Sequence, residues 1–214
     1  MVLETAVLPL VIPRSLPRLP AHEQGWPAQG VWTYEDYQRL PDDGRRYEII
    51  EGVLYVTAAP SFDHQYAVTR LVVHMDHYVT EHRMGVVLAA PFEVHLPGIA
   101  RPVQPDVLFI AAERAPQAGA HGFTGAPDLV VEILSPSTVR TDRVVKFSAY
   151  ERAGVREYWL VDPYAHSVEV YALSAGGTLE IAGQYTYGEK IASTVLSGLT
   201  LPMDDLFVEK KPGF

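Results

Sequence analysis

Apolar and polar residues follow two different periods along this chain. From Phe62 to about His82, apolar residues recur at spacings of three and four, which predicts one long amphipathic helix. Elsewhere, short apolar runs bounded by turn residues predict strands, and these runs read RRYEIIEGVLYVTAAP, VVLAAPFEVHL, PDVLFIA, DLVVEIL, VREYWLVDP and VEVYAL. The first run predicts two strands that turn at Glu51 and Gly52. The chain is therefore expected to combine a β-sheet with a few helices.

Turn and capping residues mark the remaining elements. Thr33, with Asp36 three residues later, predicts the start of a short helix that the PDDG run at 41–44 ends. The run TDRVVKFSAYERAG predicts a second helix that ends at Gly154. A loop is predicted for the Ala-, Gly- and Pro-rich stretch 114–126, and the tail predicts a strand or hairpin followed by a closing segment.

The first thirty residues differ in composition from the rest of the chain. They contain five prolines, which block a helix or a central strand, so residues 1–30 are predicted to form an extended arm. Residues 31–214 are predicted to form one domain, because a chain of 214 residues with 48% hydrophobic content can bury a full core.

Composition and charge exclude several classes of protein. The chain has no cysteine, so it has neither disulfides nor thiolate metal ligands. Its start lacks the pattern of a secretory signal, and no apolar stretch reaches the roughly 18 residues that span a membrane, so a cytoplasmic protein with no membrane partner is predicted. A formal charge of −9 argues against a basic surface along the whole chain, although a local basic groove for nucleic acid stays open.

One carboxylate stands inside an apolar predicted strand, PDLVVEILSPST. Glu132 shares a strand face with Leu134, because side chains alternate across a strand. An ionised carboxylate in apolar surroundings costs several kcal/mol unless it is compensated, so its partner is an internal Arg or Lys, water at an open face, or a metal ion. Asp106 opens a neighbouring apolar strand, and although it alone is typical of a turn, two such acids suit a hard cation such as Mg²⁺.

A lysine follows Glu132 on the predicted second helix. Lys146 lies fourteen positions after Glu132, on one helical stripe with Asp142 and Tyr150. It can reach back over the sheet, in which case Asp142 is a candidate for fixing its orientation. The alternative is an ordinary surface pair between Asp142 and Lys146.

Histidines provide further candidates. His64 opens the long helix on its core-facing stripe, where it is either a structural residue or a contact to substrate phosphate or to a metal-bound water. A zinc site formed by His74, His77 and His82 is not expected, because spacings of three and five put them on different sides of the helix.

Six motifs, taken in order, resemble a known family. They read YEIIEGVLYV, AAPSFDHQYAV, QPDVLFI, PDLVVEILSPST, TDRVVKFSAYERAGVREYWLVDP and VEVY. They are similar to those of the Uma-two family, a large bacterial set of restriction-endonuclease-like proteins in the PD-(D/E)XK nuclease superfamily. The resemblance covers about residues 33–205 and leaves out the Pro-rich arm. It implies an α/β (α+β) fold with a restriction-endonuclease-like mixed β-sheet core, flanked by helices and extended by hairpin strands.

The resemblance also implies which residues form the site. It assigns the two acids of the superfamily to Asp106 and Glu132, and the early glutamate of the family to Glu48. The superfamily lysine normally stands two residues after the second acid, where this chain has Leu134. Members of the family supply the lysine from the next helix, which here makes it Lys146.

The implied activity is hydrolysis of phosphodiester bonds in DNA or another nucleic acid by a metal-dependent endonuclease-like enzyme. Asp106, Glu132 and the main-chain carbonyl of Ile133 are implied to bind one or two Mg²⁺ or Mn²⁺ ions. Lys146 is implied to orient the attacking water or to stabilise the growing negative charge. Glu48 is implied to be a further ligand or to hold a metal-bound water.

Two functions of other kinds stay open: a non-catalytic module that binds protein or nucleic acid, and a metal-dependent hydrolase of a small phosphorylated metabolite. A homodimer stays open as well, because cleavage of two strands calls for two sites and the arm can cross to a neighbour. The nuclease interpretation requires residues 106, 132 and 146 to converge on one pocket that is open to solvent. An internal arginine that fills the gap between the acids would leave only a scaffold.

Overall fold

The structure is a computed structural model that describes residues 25–119 and 122–208. Within these ranges the helices are α1 (Tyr34–Tyr37), α2 (Phe62–Glu81) and α3 (Phe147–Ala153), and a π-helical turn, Thr141–Lys146, leads directly into α3. The strands are β1 (Arg46–Ile50), β2 (Val53–Thr57), β3 (Gly85–Ala89), β4 (Glu93–Leu96), β5 (Ala100–Val103), β6 (Val107–Ala111), β7 (Gly122–Thr124), β8 (Leu129–Ile133), β9 (Glu157–Asp162), β10 (Ser167–Leu173), β11 (Leu179–Thr186), β12 (Lys190–Ala192) and β13 (Thr200–Pro202). Short 3₁₀ turns lie at Ala115–Gln117 and Met203–Asp205.

The larger sheet has the strand order β11-β10-β9-β8-β6-β3. Its strands β8 and β9 run parallel and the other neighbouring pairs are antiparallel, so the sheet is mixed, as expected. Both faces of β8 are buried: Leu129 and Val131 pack in the core with α2 and the β12–β13 hairpin, whereas Val130 and Leu134 pack in the core with α3 and the smaller sheet. This alternation confirms that Glu132 lies on the face of Leu134, which is the α3 side.

The smaller sheet has the strand order β2-β1-β5-β4-β7 and contains the predicted hairpin. β1 and β2 are antiparallel and turn at Glu51 and Gly52, which both have positive φ angles, of 50° and 71°. A Cβ atom at position 52 would lie 2.4 Å from the carbonyl oxygen of Gly30, so the turn requires glycine there. The hairpin predicted from the sequence is therefore confirmed, including the position of its turn.

The predicted helix ends are also confirmed. The Thr33 side chain accepts a hydrogen bond from the N–H of Asp36, whose carboxylate accepts one from the N–H of Thr33, so α1 begins with a capping box. Gly154, with a φ of 84°, ends α3 in the left-handed conformation. One face of α2 is buried, and it consists of His64, Ala67, Leu71, Met75 and Val79.

Three strands correct the expectations from the sequence. β7 lies inside the stretch 114–126 that is predicted as a loop, and it pairs in parallel with β4. The stretch lacks a strand pattern because the close approach of β7 to β4 requires glycine at position 122. A Cβ atom there would lie 2.6 Å from the carbonyl oxygen of Glu93. β5 is hidden by Arg101 and Pro102, which interrupt its apolar run, and β11 is largely exposed and so carries little apolar signal.

Most of the predicted arm, residues 1–24, lies outside the described residues. The part of it that is described packs on the β1–β2 hairpin. The Gln29 side chain bonds both the N–H and the C=O of Leu54, at 2.8 and 3.0 Å, and the N–H of Gly30 donates to the carbonyl of Gly52 at 2.8 Å. No helix in the two described ranges combines the length and the apolar character that crossing a membrane requires.

A buried carboxylate fastens the loop after β12 to the larger sheet. Glu157, in β9, accepts hydrogen bonds from the indole of Trp159 at 2.6 Å and from the hydroxyl of Ser193 at 2.7 Å. The N–H groups of Thr194 and Val195 donate to it at 2.6 and 2.9 Å, and the Thr194 hydroxyl is a further donor. Because all these groups donate, the position requires a side chain whose oxygens only accept.

We expect Glu157→Gln to lower the free energy of unfolding by about 2–4 kcal/mol, because an amide NH₂ would face hydrogen-bond donors at a fully buried position. Urea denaturation at neutral pH measures this. Glu113→Gln is the control, since Glu113 is exposed, and its free energy of unfolding should stay within about 0.5 kcal/mol of wild type. Equal effects of the two substitutions would show that Glu157 does not hold the loop.

Candidate functional site

A cavity of about 610 Å³ lies at the carboxyl end of β8. Its walls are the β1–β2 hairpin, the start of α2 and the segment 135–146 that follows β8. Charged and titratable side chains line it, and they are Arg46, Glu48, His64, Asp106, Glu132, Arg140, Asp142 and Lys146. This set contains every candidate side chain that the sequence pointed to.

Sheet pairing brings the acids together from distant parts of the chain. Asp106 immediately precedes β6, and β6 pairs with β8, which carries Glu132 near its end. Glu48 lies in the middle of β1, and its Oε1 accepts the N–H of Gln104 at 2.7 Å. Residues 106, 132 and 146 therefore converge on one open cavity, which is the geometry that the nuclease interpretation requires.

Lys146 is the centre of the site. Its Nζ donates to Oε1 of Glu132 at 3.0 Å, and it lies 3.1 Å from Oε1 of Glu48 and 3.7 Å from Oδ1 of Asp142. Burial by itself would lower the pKa of Lys146, but these carboxylates outweigh it and hold that pKa above its usual range. The alternative of a surface pair between Asp142 and Lys146 is wrong, because both side chains are buried.

The π-helical turn that carries Lys146 is tied to the sheet. The N–H of Phe147 donates to the carbonyl of Asp142, five residues earlier, and that carbonyl also accepts the hydroxyl of the buried Tyr158 at 3.1 Å. π turns inside helices are frequent at functional sites. Here the turn places Asp142 and Lys146 side by side over the end of β8.

Glu132 uses only one of its two carboxylate oxygens within the described chain. Oε1 accepts hydrogen bonds from Nζ of Lys146 and, at 2.7 Å, from the hydroxyl of Tyr150. Oε2 accepts none from the described residues. Of the partners left open for Glu132, an internal lysine is therefore present, and one oxygen stays available for another ligand.

Both oxygens of Asp106 have partners. Oδ2 accepts the N–H of Ile133 at 2.9 Å and lies 3.1 Å from Nε2 of His64, and Oδ1 lies 2.8 Å from the guanidinium of Arg46. Burial would raise the pKa of Asp106, but the hydrogen bond with His64 and the charge of Arg46 hold that pKa below its usual range. Asp106 therefore favours the ionised form, whereas burial opposes ionisation of Glu132 and of Asp142.

The sequence analysis does not identify Arg46. The signal for it was present, since Arg46 alternates with Glu48 in β1 and so lies on the same strand face. It pairs with Asp106, its side chain is 20% exposed, and it lines the cavity together with Asp106, Glu132 and Lys146.

The cavity carries more negative than positive fixed charge. Four carboxylates, Glu48, Asp106, Glu132 and Asp142, line it together with three cations, Arg46, Arg140 and Lys146, which leaves a formal excess of one negative charge. Burial is the main reason that the pKa of Glu132 lies well above its usual range, and Lys146 opposes part of this rise. Burial likewise raises the pKa of Asp142 from 3.8 to about 6, again against Lys146.

His64 contacts Asp106 through one of its ring nitrogens. Nε2 lies 3.1 Å from Oδ2 of Asp106, whereas Nδ1 is buried and makes no hydrogen bond with any residue that the structure describes. This geometry shows His64 supporting Asp106 from the start of α2. The other histidines of α2 lie elsewhere: His74 contacts Asp205 at 3.1 Å, and His77 lies on the exposed side.

The residues present fit a hard divalent cation held with water. Among the described residues, no group of three or more His, Asp or Glu side chains is arranged to hold an ion together. Mg²⁺, however, is commonly bound by one or two carboxylates plus water and substrate phosphates. Asp106 and Glu132 supply such oxygens, and the carbonyl of Ile133 points to the same edge of β8 as its N–H, which donates to Asp106. The formal excess of negative charge in the cavity also favours a cation.

Comparisons with known proteins find solved structures with a similar fold and one matching family model. No curated protein matches the chain. A solved structure from Anabaena variabilis, titled as a putative nuclease belonging to DUF820, matches with a TM-score of 0.67 and 22% sequence identity. The match covers 81% of this chain and 96% of that chain, so the two share a fold.

The family comparison agrees with the motifs and with the fold. The sequence matches the model of the Uma2 family over residues 34–204, which includes every residue of the candidate site. The chain belongs to the Uma2 family, whose description reads "putative restriction endonuclease".

Proposed function

We propose that this protein is a Mg²⁺- or Mn²⁺-dependent nuclease that hydrolyses phosphodiester bonds in DNA. The observation that carries the proposal is the cavity that four carboxylates line together with three cations, with one oxygen of Glu132 left without a hydrogen bond from the described residues. Membership of a family described as restriction endonucleases, and a nuclease-like structural relative, support nucleic acid as the substrate.

Asp106, Glu132 and the main-chain carbonyl of Ile133 would hold the cation. When bound, such an ion lowers the pKa of water and offsets negative charge on phosphate oxygens. Lys146 is held in place by Glu48 and Glu132. It presents its ammonium group to the attacking water or to the developing negative charge.

The second candidate is a non-catalytic module on the same fold. One observation favours it: Asp106 and Glu132 each already have an internal cation, Arg46 and Lys146 respectively. Such pairs can serve the fold alone. The hydrolase of a small phosphorylated metabolite stays a prediction that the experiments below also bear on, and the homodimer stays a prediction.

Asp106→Asn and Glu132→Gln should each reduce cleavage of plasmid and of single-stranded circular DNA in Mn²⁺ by about a hundredfold or more, because each removes a charged ligand while keeping the shape of the side chain. Gel electrophoresis of the products measures this. Asp128→Asn is the matched control, since Asp128 is as buried as Asp106 and also pairs with arginine, but lies outside the cavity.

The control variant should cleave at the wild-type rate at temperatures where it is folded. Cleavage that survives both site substitutions would come from another site. A folded wild-type protein that binds Mn²⁺ and cleaves no nucleic acid would favour the hydrolase of a small metabolite, and one that does neither would favour the non-catalytic module.

Lys146→Gln should lower the free energy of unfolding by about 3–5 kcal/mol without metal, because it leaves buried carboxylates without their cation. Mn²⁺ should restore part of this loss, since a dication can replace the missing charge. Urea denaturation with and without Mn²⁺ measures both effects, with Lys190→Gln on the exposed side of β12 as the control. A loss that Mn²⁺ leaves unchanged would contradict the proposed metal site.

Stabilisation by Mn²⁺ should depend on pH. A raised carboxyl pKa means that the folded state binds that proton more tightly than the unfolded chain, so the stability that Asp142 contributes is lost as pH rises from 3.8 through about 6. A dication needs the ionised cluster, so Mn²⁺ should raise the melting temperature by several degrees at about pH 7.5 and much less at about pH 5. Equal shifts at both values would show that the ion binds elsewhere.

A further inference from the structure

The two oxygens of Asp106 are held by partners of different kinds. Oδ2 is fixed by the main-chain N–H of Ile133 and by the buried ring of His64. Oδ1 has one partner among the described residues, the guanidinium of Arg46 at 2.8 Å. The main-chain partner cannot leave without disrupting β8, whereas a side-chain partner can rotate away. Oδ1 is therefore the oxygen of Asp106 whose partner is exchangeable.

Arg46 stands between two cavities. It lines the cavity of about 610 Å³ that holds the acids and a second cavity of about 550 Å³. The second cavity lies between α2 and the segment that precedes β1, and it shares His64 and Asp106 with the first. The Arg46 side chain is 20% exposed, whereas that of Asp106 is 4% exposed. Arg46 thus has open space beside it and can move without unpacking the core.

We propose that Arg46 exchanges partners during the reaction: it holds Asp106 until a divalent cation takes Oδ1, and it then binds a phosphate oxygen of the nucleic acid strand. This inference rests on the nuclease function proposed above and adds a residue to it. A cation at Oδ1 repels the guanidinium and removes its hydrogen-bond acceptor, so the charge of Arg46 needs another anion. In this cavity, the phosphodiester substrate supplies one.

The chemistry of the side chain suits this exchange. A guanidinium stays charged at all relevant pH values, and its planar set of donors matches carboxylate and phosphate oxygens alike. Lys146 is less suited to it, because its ammonium group is enclosed by three carboxylates. Of these two cations, Arg46 is the one with both an exchangeable partner and free space.

The test uses Arg46→Gln in the full-length protein and two measurements that should move in opposite directions. Mn²⁺ affinity, measured by isothermal titration calorimetry on metal-free protein without nucleic acid, should rise about tenfold, because the competing charge-assisted hydrogen bond is removed. Cleavage of plasmid DNA at saturating Mn²⁺ should fall about tenfold or more, because the phosphate contact is lost. A purely structural arginine would not tighten metal binding.

Two further variants keep the test decisive. Arg156→Gln is the matched control, since Arg156 also pairs with a buried aspartate, Asp128, but lies outside both cavities, and it should leave Mn²⁺ affinity and cleavage unchanged. Arg46→Lys keeps the positive charge, so its Mn²⁺ affinity should stay near the wild-type value. This variant is the one to measure if Arg46→Gln proves unstable. Thermal melting of each variant establishes that it is folded under the conditions of the titration.

The outcomes separate this inference from the proposed function. If the wild-type protein binds Mn²⁺ and cleaves, and Arg46→Gln binds Mn²⁺ no more tightly, the exchange of partners is overturned while the nuclease stands. If Arg46→Gln binds Mn²⁺ more tightly and cleaves as fast as wild type, the phosphate contact is overturned. A wild-type protein that neither binds Mn²⁺ nor cleaves overturns both proposals.

Discussion

A single buried ammonium group holds the candidate site together. Lys146 lies within 3.7 Å of carboxylates from β1, β8 and its own π-helical turn, so the two sheets and the helical segment meet at one charge. Burying any one of these charged groups by itself would cost free energy, and the opposite charges beside it offset that cost. The geometry of the cavity therefore depends on all of them at once.

Carboxylates outnumber cations in the cavity, and this excess of negative charge bears on which ligands the cavity can bind. Four acids line the cavity with three cations. Burial raises the pKa of Glu132 and of Asp142, while His64 and Arg46 keep the pKa of Asp106 low. A fold built for stability alone gains nothing from such an excess. The cation and the phosphate that we propose for this cavity would make use of it, because the cation has to be attracted before the anion can be held.

Residue spacing, capping residues and turn glycines predicted the elements that these local patterns specify. The stripe of α2, the capping box at Thr33, the turn at Gly52 and the end of α3 at Gly154 all follow from spacing or from backbone preference, and all are present. β7 and β5 could not be found this way, because each is a short segment that is a strand only through its neighbour in the smaller sheet. Alternation with Glu48 places Arg46 on the same strand face, but nothing in its sequence neighbours indicates that it pairs with Asp106.

The sequence by itself determined that Glu132 lies in a buried strand on the face of Leu134, and that such a carboxylate needs a partner, because alternation along a strand and the cost of burying a charge are local properties. The family followed from the order of its motifs. Only the tertiary structure decided which partners meet. That Lys146 contacts Glu48 as well as Glu132, and that Arg46 holds Asp106, depends on β1, β6 and β8 being brought to one cavity by strand pairing and by the packing of the two sheets. Contacts between residues so far apart in the chain are set by that packing and leave no trace in the spacing of the residues that make them.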